Sequence, residues 1–370
     1  MPRVYANLAA IVGVAIVAFA TAAAAQIIKD KAAAPIIKVD AAAPITKAEA
    51  AAPIIGGDAP ASAAAVRYGQ PIATRYRVGA KIVARGSAVE NIRLMVAVPL
   101  ECAEQEVRVV EEDFSPHVEN VAFRLLPPDD GARQMLITIS TLPARQEAHA
   151  LITYDVITKP VIAPDETASL RIPLKLDRKL KQYVSGSPFI DVNHRKIRSA
   201  NKEALAKLDE SSDDAKPQAA GDAAVEPTAW QHVEALYDYA IEKVEYEEGV
   251  DKSAVQVLDE GKGDCQAIAA LFVAMCRTEK VPARLVWVDG HQYAEFYLEE
   301  ETGAGHWYPV QSAGSRAFGE MPSPKVILQK GDNFRVPERR RERLRYASDY
   351  ALLLADPAAQ PKVTYVRETL

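Results

Sequence analysis

Gly263-Asp264-Cys265-Gln266 and Gly290-His291-Gln292-Tyr293-Ala294-Glu295-Phe296 decide how this chain reads. From Cys265 to about Thr278, the residues Ile268, Leu271, Phe272 and Met275 recur at helical spacing. This predicts a helix with one apolar stripe. Asp264 is an N-cap residue type, so Cys265 falls in the first turn, among unpaired N–H groups at the positive end of the helix dipole. That setting favours the thiolate, the form of cysteine that attacks carbonyl carbon. Asp264, an anion, opposes it.

Pro282 ends the helix, and Ala283-Arg284-Leu285-Val286-Trp287-Val288 reads as a strand. On the next strand, His291, Tyr293, Glu295 and Tyr297 share one face, with Ala294, Phe296 and Leu298 on the other. After the turn Thr302-Gly303-Ala304-Gly305 comes Trp307-Tyr308-Pro309-Val310-Gln311. An antiparallel hairpin across that turn brings Gln311 near His291. Cysteine, base and orienter are the three parts nucleophilic catalysis requires.

These pieces, in this order, resemble the transglutaminase-like superfamily, the papain-related cysteine acyltransferases and proteases. The resemblance spans roughly residues 228–320: the Gly-Asp-Cys helix start, Val281-Pro282-Ala283-Arg284, the strand His291 to Tyr297, and Trp307-Tyr308-Pro309-Val310. It implies that Cys265 is the nucleophile and His291 the general base. Where the family usually carries Asp after its Trp-x-Pro-Val step, this chain has Gln311. A glutamine can accept from the imidazole N–H and fix its tautomer, but it adds no charge to stabilise imidazolium. Asp289, two residues before His291, is a second candidate orienter. His306 is a rival base, expected in the hairpin turn and solvated. Cys276 and Cys102 read as packing residues.

The remaining sequence bounds the protein more coarsely. At 370 residues there is room for two domains, and a net charge of −6 argues against nucleic acid as the main partner. Three cysteines give no disulfide framework. There is no metal-ligand spacing of the His-Glu-x-x-His or Cys-x-x-Cys kind and no phosphate-binding loop, so neither metal nor cofactor is expected. Nothing carries over the calcium dependence of some animal transglutaminases.

Arg3, the apolar run Leu8 to Ala20 and the small residues up to Gln26 form a secretory signal or, uncleaved, an N-terminal anchor over 1–25. Export to a periplasm or cell envelope follows. Residues 26–65 repeat Ala-Ala-Ala-Pro-Ile every nine residues (Ala32 to Ile36, Ala41 to Ile45, Ala50 to Ile54), which reads as a linker and a possible membrane tether. Period-two runs at Tyr76–Val83, Ile92–Val98, Val121–Leu125, Met135–Ile139 and Leu151–Val156 predict a β-sandwich over 66–165.

Residues 166–227 read as a helical connector and loop. Thr228 caps a helix bearing Trp230, Val233, Tyr237, Ala240 and Val244, and opens the cysteine domain at 228–347. Arg339-Arg340-Arg341-Glu342-Arg343 reads as a solvated helix face, and 348–370 as a C-terminal tail. The expected fold is α+β, an N-terminal β-sandwich followed by a transglutaminase-like cysteine domain. The expected activity is acyl transfer or hydrolysis on a carboxamide or peptide bond of a protein or peptide substrate. The alternatives are a catalytically inactive scaffold or an envelope-tethered adaptor.

Overall fold

A single apolar helix and a strand meander set the position of everything that follows. The computed structural model describes residues 63–213, 226–249 and 251–370. The signal or anchor at 1–25 and almost all of the repeat-bearing linker lie outside the described residues.

The sandwich begins with β1 (Ile72–Val83), β2 (Val89–Val98), β3 (Gln105–Phe114), β4 (Asn120–Leu126), β5 (Ala132–Leu142) and β6 (Glu147–Thr158). Its inward residues alternate as a pleated, half-buried strand requires: Tyr76, Val78, Ala80 and Ile82 from β1 meet Ile92, Leu94, Val96 and Val98 from β2, all buried. β3 carries no such run, since from Arg108 to Phe114 it is exposed at a sheet edge. That exposure is why its mixed sequence gives no period-two signal.

Helices α1 (Arg195–Asp213), α2 (Ala229–Lys243), α3 (Ala254–Glu260) and α4 (Cys265–Thr278) follow. Thr228 caps α2 through a reciprocal capping box with Gln231. α4 is buried from Ala267 to Arg277 without interruption. The expected single stripe is therefore too narrow, because the helix is enclosed on all sides. Its alanines at 267, 269, 270 and 274 let neighbours approach closely, and each fully buried Leu or Phe contributes about 1.5–3 kcal/mol.

The strands β7 (Ala283–Val288), β8 (His291–Glu299), β9 (Gly305–Val310) and β10 (Ile327–Lys330) come next, then β11 (Tyr350–Ala355) and β12 (Lys362–Thr369). One sheet runs β9-β8-β7-β10-β5-β2-β11, with β4 also paired to β5; the second runs β12-β1-β6-β3. The hairpin that carries His291 and one layer of the sandwich are thus a single sheet, joined where Gln329 of β10 meets Ala132 of β5.

Three sequence expectations change here. Residues 348–370 are not a tail: β11 pairs with β2, and all of β12 runs along β1, from Lys362↔Val83 to Thr369↔Tyr76. In β12 the covered Val363 and Tyr365 alternate with exposed Lys362 and Thr364, whereas in β11 the exposed positions Leu352 and Leu354 are themselves apolar, so that strand shows no alternation in sequence. The basic run does not form an α-helix. It holds only a 3-10 turn at Pro337–Arg339, although Arg340 to Arg343 are exposed as expected. His306 lies on β9 opposite Leu298, half-buried, with its Nε2 2.7 Å from Glu300 Oε1, so it is neither solvated nor in the turn.

Buried ionic contacts fasten these parts together. The Arg277 guanidinium, wholly buried at the end of α4, meets Asp332 at 2.6 Å and donates to Ala283 O and Ser185 O. Lys330 of β10 pairs with Glu104 of the sandwich and, at 2.6 Å, with Glu295 of β8, which Arg284 also holds at 2.7 Å. Burial pushes the Glu295 carboxyl up, but Lys330 and Arg284 outweigh it and hold Glu295 below the usual carboxylate range.

Candidate active site

Cys265 owes its place to Gly263 and Asp264. A Cβ at Gly263 would stand 2.8 Å from the Ala267 side chain, so only glycine lets the chain enter the helix this closely. Asp264 caps α4 by accepting from Ala267 N at 3.0 Å. The approach is held by a short parallel pairing of Lys262 and Gly263 with Glu245 and Tyr246. Behind the thiol, Gln266 Oε1 accepts from Arg345 Nη2 at 2.9 Å; that guanidinium, nearly buried, also pairs with Asp251 at 2.5 Å and lies over the Phe189 ring.

His291 opens β8 immediately after Gly290, whose φ of +64° lies in the left-handed region that favours glycine. The turn is anchored from the sandwich, since the buried Tyr76 hydroxyl donates to Asp289 Oδ1 at 2.7 Å. Asp289 is thereby engaged away from the imidazole. His291 Nε2 instead lies 2.5 Å from Gln311 Oε1. An amide oxygen only accepts, so Nε2 carries the hydrogen and Nδ1 is the basic nitrogen.

Gln311 is itself fixed through its backbone. Its N–H donates to Ala317 O at 2.9 Å, and its carbonyl accepts from the Tyr237 hydroxyl of α2 at 2.8 Å. The register Ala294↔Val310 puts Gln311 diagonally across from His291, the geometry the hairpin spacing calls for.

The thiol meets a residue the sequence reading passed over. Cys265 Sγ donates to Gln292 Oε1 at 3.1 Å, and no hydrogen bond joins Cys265 to His291 in this resting arrangement. Gln292 had a signal: by alternation it sits on the face otherwise occupied by Ala294, Phe296 and Leu298, where a polar side chain is out of pattern. Arg345 and Tyr237 carried none, because each acts across a long sequence separation.

The sequence sets helix-start donors against Asp264 at the Cys265 thiol, and burial adds to the side of Asp264. Burial pushes the Cys265 thiol up. The backbone N–H groups of Gln292, Gln266 and Cys265 oppose this, Asp264 reinforces it, and the net effect is upward. His291 moves down, chiefly through burial, against the opposing bond to Gln311. Helix-start donors are present as expected, but desolvation outweighs them, and burial disfavours the charged form of both Cys265 and His291. Cys276 is fully buried and pushed well up by burial; Cys102 is pushed up to about 12, again mainly by burial. A groove of ≈ 330 Å³ adjoins the site, lined by Tyr237, Ile241, Tyr246, Ile268, Gln311 and Arg316. No cluster of three or more His, Cys, Asp or Glu among the described residues could hold a metal ion.

Residues 218–312 match the family model described as Transglutaminase-like superfamily. Among solved structures it is similar to "a putative cysteine protease from Cytophaga hutchinsonii", at 15% identity and TM-score 0.51, over 82% of this chain and 93% of that one. The likeness extends across sandwich and helices together and is one of fold. It is also similar to "a TGase", at 15% identity over 45% of this chain and 41% of that one, TM-score 0.21. A third is "a putative protease from Parabacteroides distasonis", at 13% identity over 70% and 49%, TM-score 0.22. Comparison with curated proteins gives no match.

Proposed function

We propose that this protein is an exported cysteine enzyme that acts on a carboxamide or peptide carbonyl of a protein or peptide substrate through a Cys265 thioester. The observation that carries the reading is the placement of Cys265 at a capped helix start in one site with a His291 whose Nε2 is committed to Gln311. In the first step His291 Nδ1 takes the thiol proton, Sγ bonds to the carbonyl carbon, and the carbonyl π electrons move to oxygen. When the oxyanion collapses, the carbon–nitrogen bond breaks and the departing nitrogen takes the proton from His291, leaving as ammonia or an amine. An amine or water then attacks the thioester, gives its proton to His291, and the released sulfur recovers it. An amine acceptor gives a cross-link; water gives hydrolysis.

Cys265 and His291 must come together for the first step, and catalytic hydrogen bonds of this kind commonly tighten only when substrate is bound. The groove beside Gln311 and Tyr246 supplies a place for the substrate chain. The protease naming of the Cytophaga hutchinsonii structure supports a protein substrate. Export rests on the sequence of residues 1–26 alone: a basic residue, an apolar run and a small-residue end.

A second reading, a catalytically silent binding module, draws on one feature, Gln311 beside His291 in place of a carboxylate. Purified protein incubated with a glutamine-rich protein and a biotinylated amine, and separately with quenched peptides, decides between them. Turnover lost in Cys265→Ala with the fold intact supports the enzyme; no turnover in either assay, or turnover that survives Cys265→Ala, removes it.

A further inference from the structure

Gln292 follows His291 in sequence but faces the opposite way, toward α4 with Ala294 and Phe296. Its carboxamide oxygen accepts from Cys265 Sγ at 3.1 Å, and its backbone N–H faces the same sulfur. Its carbonyl accepts from the buried Ser312 hydroxyl at 2.6 Å. The backbone is therefore pinned, and the side-chain amide is the movable part.

An oxygen acceptor suits a thiol that still holds its hydrogen. Once that proton has gone to His291, the same oxygen lies beside a full negative charge and is repelled. The carboxamide carries two N–H donors in nearly the same volume, and its terminal torsion is broad and two-fold, so turning it over replaces oxygen by nitrogen at little cost.

We propose that Gln292 is a further catalytic residue: its carboxamide accepts from the Cys265 thiol at rest and, turned over, donates Nε2–H to the thiolate and then to the oxyanion. The oxyanion forms on the atom next to the carbon that Sγ bonds, so a donor within reach of the sulfur also reaches it, alongside the helix-start N–H groups. The oxyanion half rests on the cysteine-enzyme reading; the thiolate half needs no substrate. The other titratable groups around the thiol are Asp264 at the cap, Tyr246 on the adjoining strand, Tyr346, and Arg345 with Asp251 behind Gln266, besides His291 itself.

The test uses the full chain with Gln292→Ala and the nearly isosteric Gln292→Glu, checked for fold by circular dichroism. Iodoacetamide modification of Cys265 is followed against pH by mass spectrometry, and turnover is measured in parallel. A thiolate that has lost its donor needs a higher pH to form. The alkylation midpoint should therefore move up in Gln292→Ala. It should move further in Gln292→Glu, where a carboxylate beside the sulfur slows alkylation about tenfold at a fixed pH below the midpoint. With substrate, kcat should fall about 10²–10³-fold in both variants with little change in KM.

An alkylation midpoint in Gln292→Ala that stays put or moves down identifies a fixed acceptor and overturns the proposal. Retained kcat with an active wild type overturns it equally. If wild type has no turnover while both midpoints rise, the enzyme reading and the oxyanion role fall together and only the thiolate donor stands. If wild type turns over and the midpoints do not rise, only Gln292 is misassigned.

Discussion

Replacing Gln311 by glutamate puts a charge where the structure has an amide oxygen, 2.5 Å from His291 Nε2, without changing reach. Two unit charges with centres about 4 Å apart interact by about 4 kcal/mol at an effective dielectric of 20, or about three pKa units. The ring is half-buried, so solvent screening reduces this to about one to two units upward. In wild type, burial holds the His291 pKa below its ordinary 6.5. The folded state thus binds the proton less readily than the unfolded chain, and this group lowers stability as the pH falls below about 6.5. In Gln311→Glu the carboxylate works against this loss: the folded pKa rises, and where it passes the unfolded value the group adds stability at low pH that is lost as pH rises through the new folded pKa. Histidine ring titration by NMR, with urea unfolding at pH 5.5 and 8, reads both effects. An imidazolium beside Cys265 should also move its alkylation midpoint down by about one unit. A ring titration that stays where wild type has it, in a folded variant, refutes the assignment of Gln311 as orienter and the reasoning behind it.

The same structure orders the three cysteines: iodoacetamide should modify Cys265 ahead of Cys102 and Cys276 in folded protein, and equal labelling would contradict the site. Asp332→Ala leaves the buried Arg277 guanidinium without its counter-ion and should cost about 3–5 kcal/mol in chemical unfolding; a loss under about 1 kcal/mol would mean the pair is not holding α4. Deleting 348–370 should prevent soluble folding of the whole chain, because β12 lies along Tyr76–Val83 of β1 and β11 along β2. A truncated chain that melts like wild type would show those strands to be dispensable. Glu338 is held down to about 2 despite the opposing effect of burial, by its bonds to Arg124 and Tyr350. The stability it adds is therefore present above the ordinary carboxylate value of 4.5 and lost as pH falls toward 2, and Glu338→Gln should flatten that acid limb in pH-dependent unfolding.

Local signals were legible where one element determines its own geometry. Asp264 before an apolar run gave the start of α4, Thr228 the start of α2, and the turn between β8 and β9 gave the meeting of His291 and Gln311. The sandwich strands with alternating apolar residues were readable for the same reason. What stayed hidden depends on residues far apart in sequence. β3 is an exposed edge strand with no period to detect. β11 and β12 are completed by pairing with β2 and β1, hundreds of residues upstream. Arg345 reaches Gln266, and Tyr76 reaches Asp289, across separations no local pattern encodes. The net effect on the thiol was not legible for a physical reason: the helix-start N–H groups and the opposing Asp264 are visible in sequence, but the burial that outweighs the donors exists only once α4 is enclosed.

The most direct test of the central claim is to trap the acyl-enzyme. Purified protein mixed with a carboxamide-containing peptide digest, quenched in acid and mapped by mass spectrometry, should show a hydroxylamine-labile acyl adduct on Cys265. It should be absent in Cys265→Ala and form far more slowly in His291→Ala. An adduct on a different residue, or turnover with no dependence on Cys265, would contradict the account.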